Sequence, residues 1–441
     1  MSDAPLPPTL KSRHASPDNS ERSASRRQFL SRSSAVVGGL ATLSLVGSAA
    51  AAIRPKVAPA TPEPPGVPSW SKEIGTATGA PYGNPSKYEA DVVRKLYPGL
   101  TQSITAYSTT PLQDLDGAIT PNGLFYERHH AGVPQIDPAR HRLMIHGLVK
   151  APLLFTVDDV HQFPSVSRVH FLECAGNPSF RPPWGKTAAE VSGLVSCAEW
   201  TGVPLSTLLK DAGLKPGAKW VIAEGADGAG MTRSIPIDKC MDDAMIAYSQ
   251  NGERLRPEQG YPMRLLLPGF EGNMNIKWLR RLHVSDTPAY SREETAKYTD
   301  LMADGRARKF SFVMECKSII TKPSGEQRLS RKGFHEIRGI AWSGRGKITR
   351  VDVSIDGGDN WFEATLQGAA QSKALTSFRA PFEWHGEEMM IMSRAIDETG
   401  YVQPTMEELV KARGWDSFYH NNTIQPWKIA ATGEVTNGRG V

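Results

Sequence analysis

The chain has 441 residues, of which 39% are hydrophobic and 22% charged, and these proportions are ordinary for a globular protein. Its length exceeds what one hydrophobic core usually serves, so we expect two or more domains. The net charge is +5, but residues 1–53 contain six lysines and arginines against three acidic residues, which leaves +2 for the rest. So small a surplus argues against a nucleic-acid partner.

The cysteines stand at Cys174, Cys197, Cys240 and Cys316, without a C-x-x-C pair, a zinc spacing or a C-x-x-C-H motif. The chain therefore carries no attachment site for a c-type haem, and we expect any haem to belong to another protein. It also shows no iron–sulfur spacing and no dinucleotide fingerprint. We expect Cys197, Cys240 and Cys316 to be structural.

Residues 1–53 predict an export signal. The segment 25–30 (S-R-R-Q-F-L) precedes an Ala/Gly/Val-rich run to Ala52, which is typical of a twin-arginine signal. A membrane anchor is the alternative, but glycines and serines interrupt the apolar run, and small residues at 48–52 offer a cleavage site. We expect a periplasmic protein without a stable membrane anchor. Because this route exports folded proteins, it suits a chain whose cofactor is inserted before export.

The proline-rich residues 54–84 predict an extended linker. Residues 85–310 mix strand and helix patterns, with strands predicted at 142–149 and 168–172 and a helix between Pro204 and Gly213. After residue 310, Val351, Val353 and Ile355 alternate with polar residues before a double-glycine turn at 357–358. We therefore predict an α+β fold in which a β-sandwich over 311–441 follows the first domain.

Cys174 follows a strand-like run in the segment 171–177 (F-L-E-C-A-G-N). A lone cysteine is more often an inert buried thiol than a ligand. However, C-A-G-N resembles the molybdenum-ligand motif of the sulfite oxidase family, and further segments match that family in order. The resemblance implies that Cys174 binds molybdenum, and a soft thiolate suits a metal already held by the two sulfurs of a dithiolene.

The other matching segments imply the rest of the site. Residues 125–134 (F-Y-E-R-H-H-A-G-V-P) resemble the family segment F-x-R-N-H-x-P-V-P, whose arginine lines the active site. Residues 260–269 and 275–279 resemble the stretch that cradles the pterin phosphate, to which Arg264 and Lys277 would offer paired cations. The residues implied to bind the molybdopterin cofactor are Arg128, His129, His130, Asp227, Gln259, Arg264, Asn275, Ile276 and Lys277.

The resemblance also implies the catalytic residues. Tyr298 falls where the family has its active-site tyrosine, and Arg413 matches an arginine that reaches the substrate pocket. Arg128 and Arg413 would hold an anionic sulfur substrate, while Tyr298 would position or protonate the oxygen transferred at molybdenum. Residues 340–344 and 351–361 resemble the family's immunoglobulin-like dimerisation domain, which implies a homodimer.

Four positions depart from the family pattern. Pro178 and Ser179 replace two arginines, the second of which helps to bind sulfite, although Arg181 stands nearby. Gln259 replaces a cofactor-contacting histidine, and His129 replaces an asparagine. With the export signal and the missing haem motif, these departures look more like the molybdenum subunit of bacterial Sox sulfane dehydrogenases. That type oxidises sulfane sulfur on a carrier protein and passes electrons to a c-type cytochrome, which implies a heterotetramer.

Three alternatives stay open. A periplasmic sulfite:cytochrome c oxidoreductase shares every cofactor residue and differs only in acting on free sulfite. An exported methionine-sulfoxide reductase uses the same molybdenum domain but lacks the β-sandwich. A non-catalytic binding module would use the sandwich for protein contacts, and its molybdenum content would distinguish it from an enzyme.

Overall fold

The computed structural model describes residues 82–98, 105–178 and 182–439. The predicted signal and nearly all of the predicted linker lie outside these residues. From Asn84 onward the described residues belong to one compact unit. Within that part of the chain, no helix is long and apolar enough to cross a membrane.

Strands dominate the described chain, and its helices are short. The strands up to residue 308 are β1 (Lys95–Pro98), β2 (Ala106–Thr109), β3 (Glu127–His129), β4 (Arg142–Gly147), β5 (Leu153–Thr156), β6 (Val166–Glu173), β7 (Val195–Pro204), β8 (Trp220–Gly225), β9 (Thr232–Pro236), β10 (Met245–Gln250), β11 (Glu253–Arg254), β12 (Arg264–Leu266), β13 (Leu279–Ser285), β14 (Asp300–Leu301) and β15 (Ala307–Arg308). The later strands are β16 (Lys317–Lys322), β17 (Gly333–Trp342), β18 (Ile348–Ser354), β19 (Phe362–Glu363), β20 (Thr365–Leu366), β21 (Thr376–Trp384), β22 (Met389–Asp397), β23 (Trp427–Ile429) and β24 (Val435–Asn437). The helices are α1 (Val157–Gln162), α2 (Ala188–Ser192), α3 (Leu205–Ala212), α4 (Ile237–Asp242), α5 (Arg292–Thr295) and α6 (Met406–Arg413).

The elements predicted in the first half of the chain are confirmed. Strands β4 and β6 occupy the two predicted strand segments, and α3 occupies the predicted helix. Pro204 precedes α3, and Gly213 ends it with φ 69°, a conformation that glycine adopts without steric cost. The apolar face of α3 is buried in the core of this region.

Three sheets build this first half. Strands β1, β2 and β3 form an antiparallel sheet, β11, β10, β7 and β6 form a second with β12 also paired to β10, and β5, β4, β13, β8 and β9 form a third. Within the third sheet, β4 and β13 run parallel. Strand β6 leads into Cys174, and β12 begins at Arg264, so the second sheet carries two of the predicted site residues at its strand ends.

The predicted β-sandwich is confirmed in the second half. One sheet has the order β16-β17-β21-β20, and the other has the order β19-β18-β22-β23-β24. Their facing side chains bury Trp342, Phe378 and Trp427 completely. The fold is therefore α+β, with a sandwich after the first region as predicted. The boundary at residues 310 and 311 stays a prediction, because the sandwich core also contains Phe171 and Val195 from the first region.

A buried ion pair joins the two regions next to Cys174. Lys317 Nζ, at the start of β16, lies 2.8 Å from Glu173 Oε1, and both side chains are at most 3% exposed. Trp342 Nε1 donates to the other oxygen of Glu173 at 2.7 Å, and Asn177 Nδ2 donates to Oε1 at 3.1 Å. The last residue of β6 is thereby fixed to the sandwich.

We expect Lys317→Met to destabilise the protein by about 3–5 kcal/mol, because it leaves the Glu173 carboxylate buried without its counter-ion. Equilibrium denaturant unfolding measures the change. Lys428→Met is the matched control, since Lys428 lies 3.4 Å from the exposed carboxylate of Glu388. An exposed pair contributes at most about 1 kcal/mol. Equal losses in the two variants would contradict the importance of the buried pair.

Candidate active site

Cys174 stands at the end of β6, where the chain turns. Its N–H donates to Leu194 O at 3.0 Å, and its carbonyl accepts from the N–H of Asn177 at 3.0 Å. The thiol is free and lines two cavities, which we call the inner cavity and the outer cleft. Burial raises its pKa, against the opposing effects of the Gly176 backbone and Arg128. A bound metal would supply the positive charge that stabilises the thiolate.

The inner cavity gathers every predicted site residue except Arg413. It is lined by Arg128, His129, His130, Cys174, Asp227, Gln259, Arg264, Asn275, Ile276, Lys277 and Tyr298, together with several neighbours. These residues come from β3, from the end of β6, from the start of β12 and the 3-10 turn Pro257–Gln259 before it, and from the loops before β9, β13 and β14. The segments that match the family in sequence therefore converge in space.

Arg264 is a buried cation without a counter-ion. Its Nη1 and Nη2 donate to the carbonyls of Gln259 and Asn275, each at 3.1 Å, and its buried Nε has no hydrogen-bond partner. Among the described residues, no carboxylate lies within 4 Å of its guanidinium. Burial lowers its pKa to about 10. An unpaired guanidinium of this kind is suited to binding an anionic group.

Lys277 lies close to Arg264 and is partly buried. Its Nζ donates to Arg128 O at 2.9 Å and Glu258 O at 3.0 Å, and burial with the nearby Arg264 lowers its pKa to about 7. Gly260, with φ 108°, permits this approach, because a Cβ there would lie 3.1 Å from Lys277 Cβ and 3.2 Å from Arg264 Cβ. Arg264 and Lys277 are therefore suited to binding a phosphate, whose negative charge would offset the repulsion between them.

The neighbouring side chains orient this pair. His129 Nε2 lies 2.5 Å from Glu127 Oε2, and its Nδ1 lies 3.0 Å from Lys277 Nζ. A neutral His129 that donates through Nε2 to Glu127 would accept from Lys277 through Nδ1. Burial lowers the pKa of His129, which favours this neutral form.

Gln259 and Asn275 mainly stabilise the lining of the inner cavity through hydrogen bonds. Gln259 Nε2 donates to Tyr126 O at 2.9 Å. Asn275 Oδ1 accepts from the N–H of Leu267 at 2.6 Å, and its Nδ2 donates to Glu271 O at 3.0 Å. Both carbonyls accept from Arg264, so these residues position the arginine through their backbones.

The outer cleft has a volume of about 740 Å³ and a cationic lining. Arg128, Lys297 and Arg439 line it, together with the carboxylate of Glu190, which is already paired with Lys95. Burial lowers the pKa of Arg439 to about 10, which still leaves it charged at neutral pH. The cleft therefore offers positive charge beside Cys174.

Tyr298 lies where the inner cavity meets the outer cleft and lines both. Its hydroxyl is 3.0 Å from His130 Nε2. Burial raises the pKa of Tyr298 and lowers that of His130 to about 4, so both side chains are neutral at neutral pH. The tyrosine is therefore available as a hydrogen-bond donor.

Arg413 lines neither cavity, so the structure does not support its predicted contact with substrate. Its Nη1 donates to His420 O at 3.0 Å, and its Nη2 lies 3.8 Å from Glu315 Oε1. These partners hold the buried guanidinium at the end of α6, and a contact with substrate stays a prediction. Arg439 is the C-terminal arginine that reaches the outer cleft.

Sequence reasoning missed several residues around Cys174. Besides Lys297 and Arg439, the outer cleft is lined by the aromatic residues Tyr97, Tyr107, Trp184, Phe418 and Tyr419. They come from segments far apart in sequence, so no local motif marks them. Glu173 lies inside the quoted motif and could have been singled out as a charged residue in an apolar strand. Ser179 and Arg181 lie outside the described residues.

The remaining cysteines are buried and unpaired. Cys197 and Cys316 lie in the sandwich core, and Cys240 lies in the core of the first region. Burial raises the pKa of Cys197 to about 12 and that of Cys240 and Cys316 as well, so these thiols are protonated at neutral pH. These surroundings suit packing roles.

Comparison with known proteins places this site in a family. Residues 130–294 match the oxidoreductase molybdopterin binding domain, and residues 308–426 match the Mo-co oxidoreductase dimerisation domain. Sulfite oxidase of Gallus gallus is 31% identical over 345 residues, which cover 70% of this chain and 73% of that protein. The chain belongs to the sulfite oxidase family. Its resemblance to that family, inferred from the sequence, is thereby confirmed.

Two further relatives define the match. Mitochondrial sulfite oxidase of Mus musculus is 33% identical over 330 residues, but these are 68% of this chain and only 60% of the mouse protein. The chain thus spans less than two thirds of that relative. The crystal structure of the sulfane dehydrogenase SoxCD from Paracoccus pantotrophus aligns with a TM-score of 0.82 and 49% identity, covering 86% of this chain and 99% of the solved one.

We expect Lys277→Met to weaken retention of the pterin cofactor about 10- to 100-fold, the scale of one lost hydrogen bond to a charged group. Molybdenum and pterin per purified chain, measured after gel filtration, report the change. Lys297→Met is the control, because Lys297 is exposed and lines only the outer cleft. Full cofactor content in Lys277→Met would contradict a phosphate site at this lysine.

Proposed function

We propose that this chain is the molybdenum subunit of a periplasmic oxidoreductase that oxidises sulfane sulfur carried on a protein. The observation that carries the proposal is the position of Cys174. This thiol lies between an inner cavity that contains the buried guanidinium of Arg264 and an outer cleft lined by further cations. A cofactor with an anionic tail and an anionic substrate would thus approach it from opposite sides.

The chain's residues fit a molybdopterin cofactor. Among the described residues, the buried Nε of Arg264 has no hydrogen-bond partner, and the Nζ of Lys277 beside it contacts two backbone carbonyls and His129, which leaves both groups suited to a phosphate. Arg264 and Lys277 would hold the phosphate, His129, His130, Asp227, Gln259, Asn275 and Ile276 would surround the pterin, and Cys174 would bind molybdenum. When bound, the cofactor supplies two-electron redox chemistry and oxygen-atom transfer to sulfur.

The protein residues around Cys174 would bind and orient the substrate. Arg128, Lys297 and Arg439 provide charge for an anionic sulfur group in the outer cleft. Tyr298, held by its contact with His130, would donate a hydrogen bond to the oxygen being transferred. Because Tyr298 and His130 are both neutral near pH 7, the tyrosine hydroxyl can donate without a charged side chain being buried.

Two observations favour a protein-bound sulfane sulfur over free sulfite. A cleft of about 740 Å³ is large for a four-atom anion. Ser179 also stands where sulfite oxidases have the arginine that helps to bind sulfite. The aligned structure from Paracoccus pantotrophus is a sulfane dehydrogenase, which agrees with this choice. Sulfite dehydrogenase activity stays the second candidate, because the three cations of the cleft would also bind an oxyanion.

The electrons would leave through a separate c-type cytochrome, since the sequence carries no motif for a second redox centre. We propose a heterotetramer in which residues 311–441 pair two molybdenum subunits, each with one cytochrome subunit. The match of residues 308–426 to a dimerisation domain supports the pairing. The proposed location rests on residues 1–53, which we propose to be a twin-arginine signal followed by a linker over 54–84.

We expect Cys174→Ser to abolish turnover, because a hard hydroxyl is a poor substitute for thiolate at a soft metal. The measurements are turnover and molybdenum content of the purified protein. Cys240→Ala is the control, since this buried thiol lies in the core of the first region. Near-normal turnover in Cys174→Ser would overturn the assignment of Cys174 as the metal ligand.

Substrate and acceptor are tested together on enzyme purified from its native periplasm. We expect haem bands in the active fraction that are reduced faster by a persulfide-bearing carrier protein than by an equal concentration of sulfite. Faster reduction by sulfite would favour the second candidate. Activity that reduces oxygen directly in fractions without cytochrome would exclude the proposed electron route.

A further inference from the structure

Four charged or titratable side chains form a buried cluster behind Tyr298, and the proposed mechanism does not use them. We call Arg233, Glu271, Glu294 and His420 the Arg233 cluster. Their side chains are at most 3% exposed. They come from β9, the loop before the 3-10 turn Gly272–Met274, α5 and the segment after α6. Burying this much charge is costly, so the cluster calls for an explanation.

The guanidinium of Arg233 is the centre of the cluster. Its Nη2 lies 3.0 Å from Glu271 Oε1, and its Nε lies 3.7 Å from Glu294 Oε1. Glu271 Oε2 continues the chain to His420 Nε2 at 3.2 Å. Burial raises the pKa of Glu271, but the His420 hydrogen bond and the charge of Arg233 bring it below the usual value. Arg233 is therefore neutralised by its own partners and is not free to bind an anion.

One face of the cluster supports Tyr298. The guanidinium carbon of Arg233 lies 5.1 Å from the centre of the tyrosine ring, within the range of a cation–π contact. Tyr298 has φ 52°, a left-handed conformation that is strained for an aromatic residue and persists only when its surroundings impose it. The ring of Tyr419 lies 5.2 Å away on another side. Arg233 is thus part of the packing that fixes the tyrosine.

The other end of the cluster supports the Cys174 turn. The N–H of His420 donates to Ala175 O at 2.8 Å, and the carbonyl of His420 accepts from Arg413 Nη1 at 3.0 Å. The buried contacts therefore run without a break from the Tyr298 ring to the residue after Cys174. They also explain the burial of Arg413, which anchors His420.

From this geometry we propose that Arg233 is a positioning residue, which sets the Tyr298 hydroxyl relative to Cys174. The inference rests on the proposed function in one respect, since Tyr298 is taken to act on the substrate. Arg233 itself touches neither cavity among the described residues. Its loss would let the ring move without removing any group that binds cofactor or substrate.

The test compares Arg233→Met, Arg233→Lys and Tyr298→Phe with the double variant Arg233→Met/Tyr298→Phe. Rates are expressed per bound molybdenum, so that loss of cofactor does not affect the comparison between variants. We expect Arg233→Met to lower kcat about 10- to 100-fold with KM changed less than threefold, the scale for misplacing a group in a preorganised site. Arg233→Lys, which keeps the cation over the ring, should recover part of this loss.

The double variant separates positioning from general destabilisation. If Arg233 acts through Tyr298, adding Arg233→Met to Tyr298→Phe costs little more than Tyr298→Phe alone. If the rate losses of the two single variants multiply fully in the double variant, the proposal is overturned. Arg394→Met is the matched control, because Arg394 lies 4.3 Å from the centre of the Trp361 ring and pairs with buried Asp352. It should leave kcat per molybdenum unchanged.

A measurement without turnover distinguishes failure of this inference from failure of the proposed function. We expect nitration of Tyr298 by tetranitromethane, followed by peptide mass spectrometry, to be at least tenfold faster in Arg233→Met than in wild type or Arg394→Met. Unchanged nitration would show that Arg233 does not hold the ring, whatever the substrate. Faster nitration in an enzyme that oxidises neither sulfite nor carrier-bound sulfur would reject the proposed function and keep the positioning role.

Discussion

The site depends on the carboxylate of Glu173, which is buried directly before the proposed metal ligand. It accepts hydrogen bonds from Lys317 and Trp342 of the sandwich and from Asn177 after the Cys174 turn. A buried carboxylate is tolerated only when such partners surround it, so these contacts must form together. These hydrogen bonds fix the residue directly before Cys174. The sandwich therefore helps to position the proposed metal ligand, and it is also the region that matches a dimerisation domain.

Much of this fold follows from local sequence. Short β-rich runs indicated β4 and β6, alternation indicated β18, and proline with glycine indicated the ends of α3. The same alternation makes Asp352 look solvent-exposed, yet it is 1% exposed. Arg350 and Arg394 cover it at 2.6 and 3.0 Å. Arg350 precedes Asp352 on β18, but Arg394 comes from β22, which is distant in sequence, so the pattern of one strand could not reveal that a charge is buried there.

The site shows the same limit. Family motifs pointed to the side chains that meet in the inner cavity, because each motif is a short segment ending at that cavity. They did not indicate the position of Arg413. This arginine is fixed by His420, which in turn contacts Glu271, a residue far earlier in the chain. They also missed Arg439, which lies after the residues that match the dimerisation domain. A motif identifies which residue is present, whereas the role of that residue depends on partners that are distant in sequence.

The partners of each buried cation provide a physical criterion for that role. Arg233 lies 3.0 Å from one carboxylate and 3.7 Å from another, and Arg413 lies 3.8 Å from one, so their charge is already balanced within the protein. Arg264 is also buried but donates to backbone carbonyls, which leave its charge uncompensated. Lys277 lies beside it, partly buried, and also donates to backbone carbonyls. A positive charge kept out of water without a counter-ion is unfavourable unless an anion binds there. The uncompensated cations therefore mark where anionic ligands belong, and the compensated ones mark where the protein holds its own side chains in place.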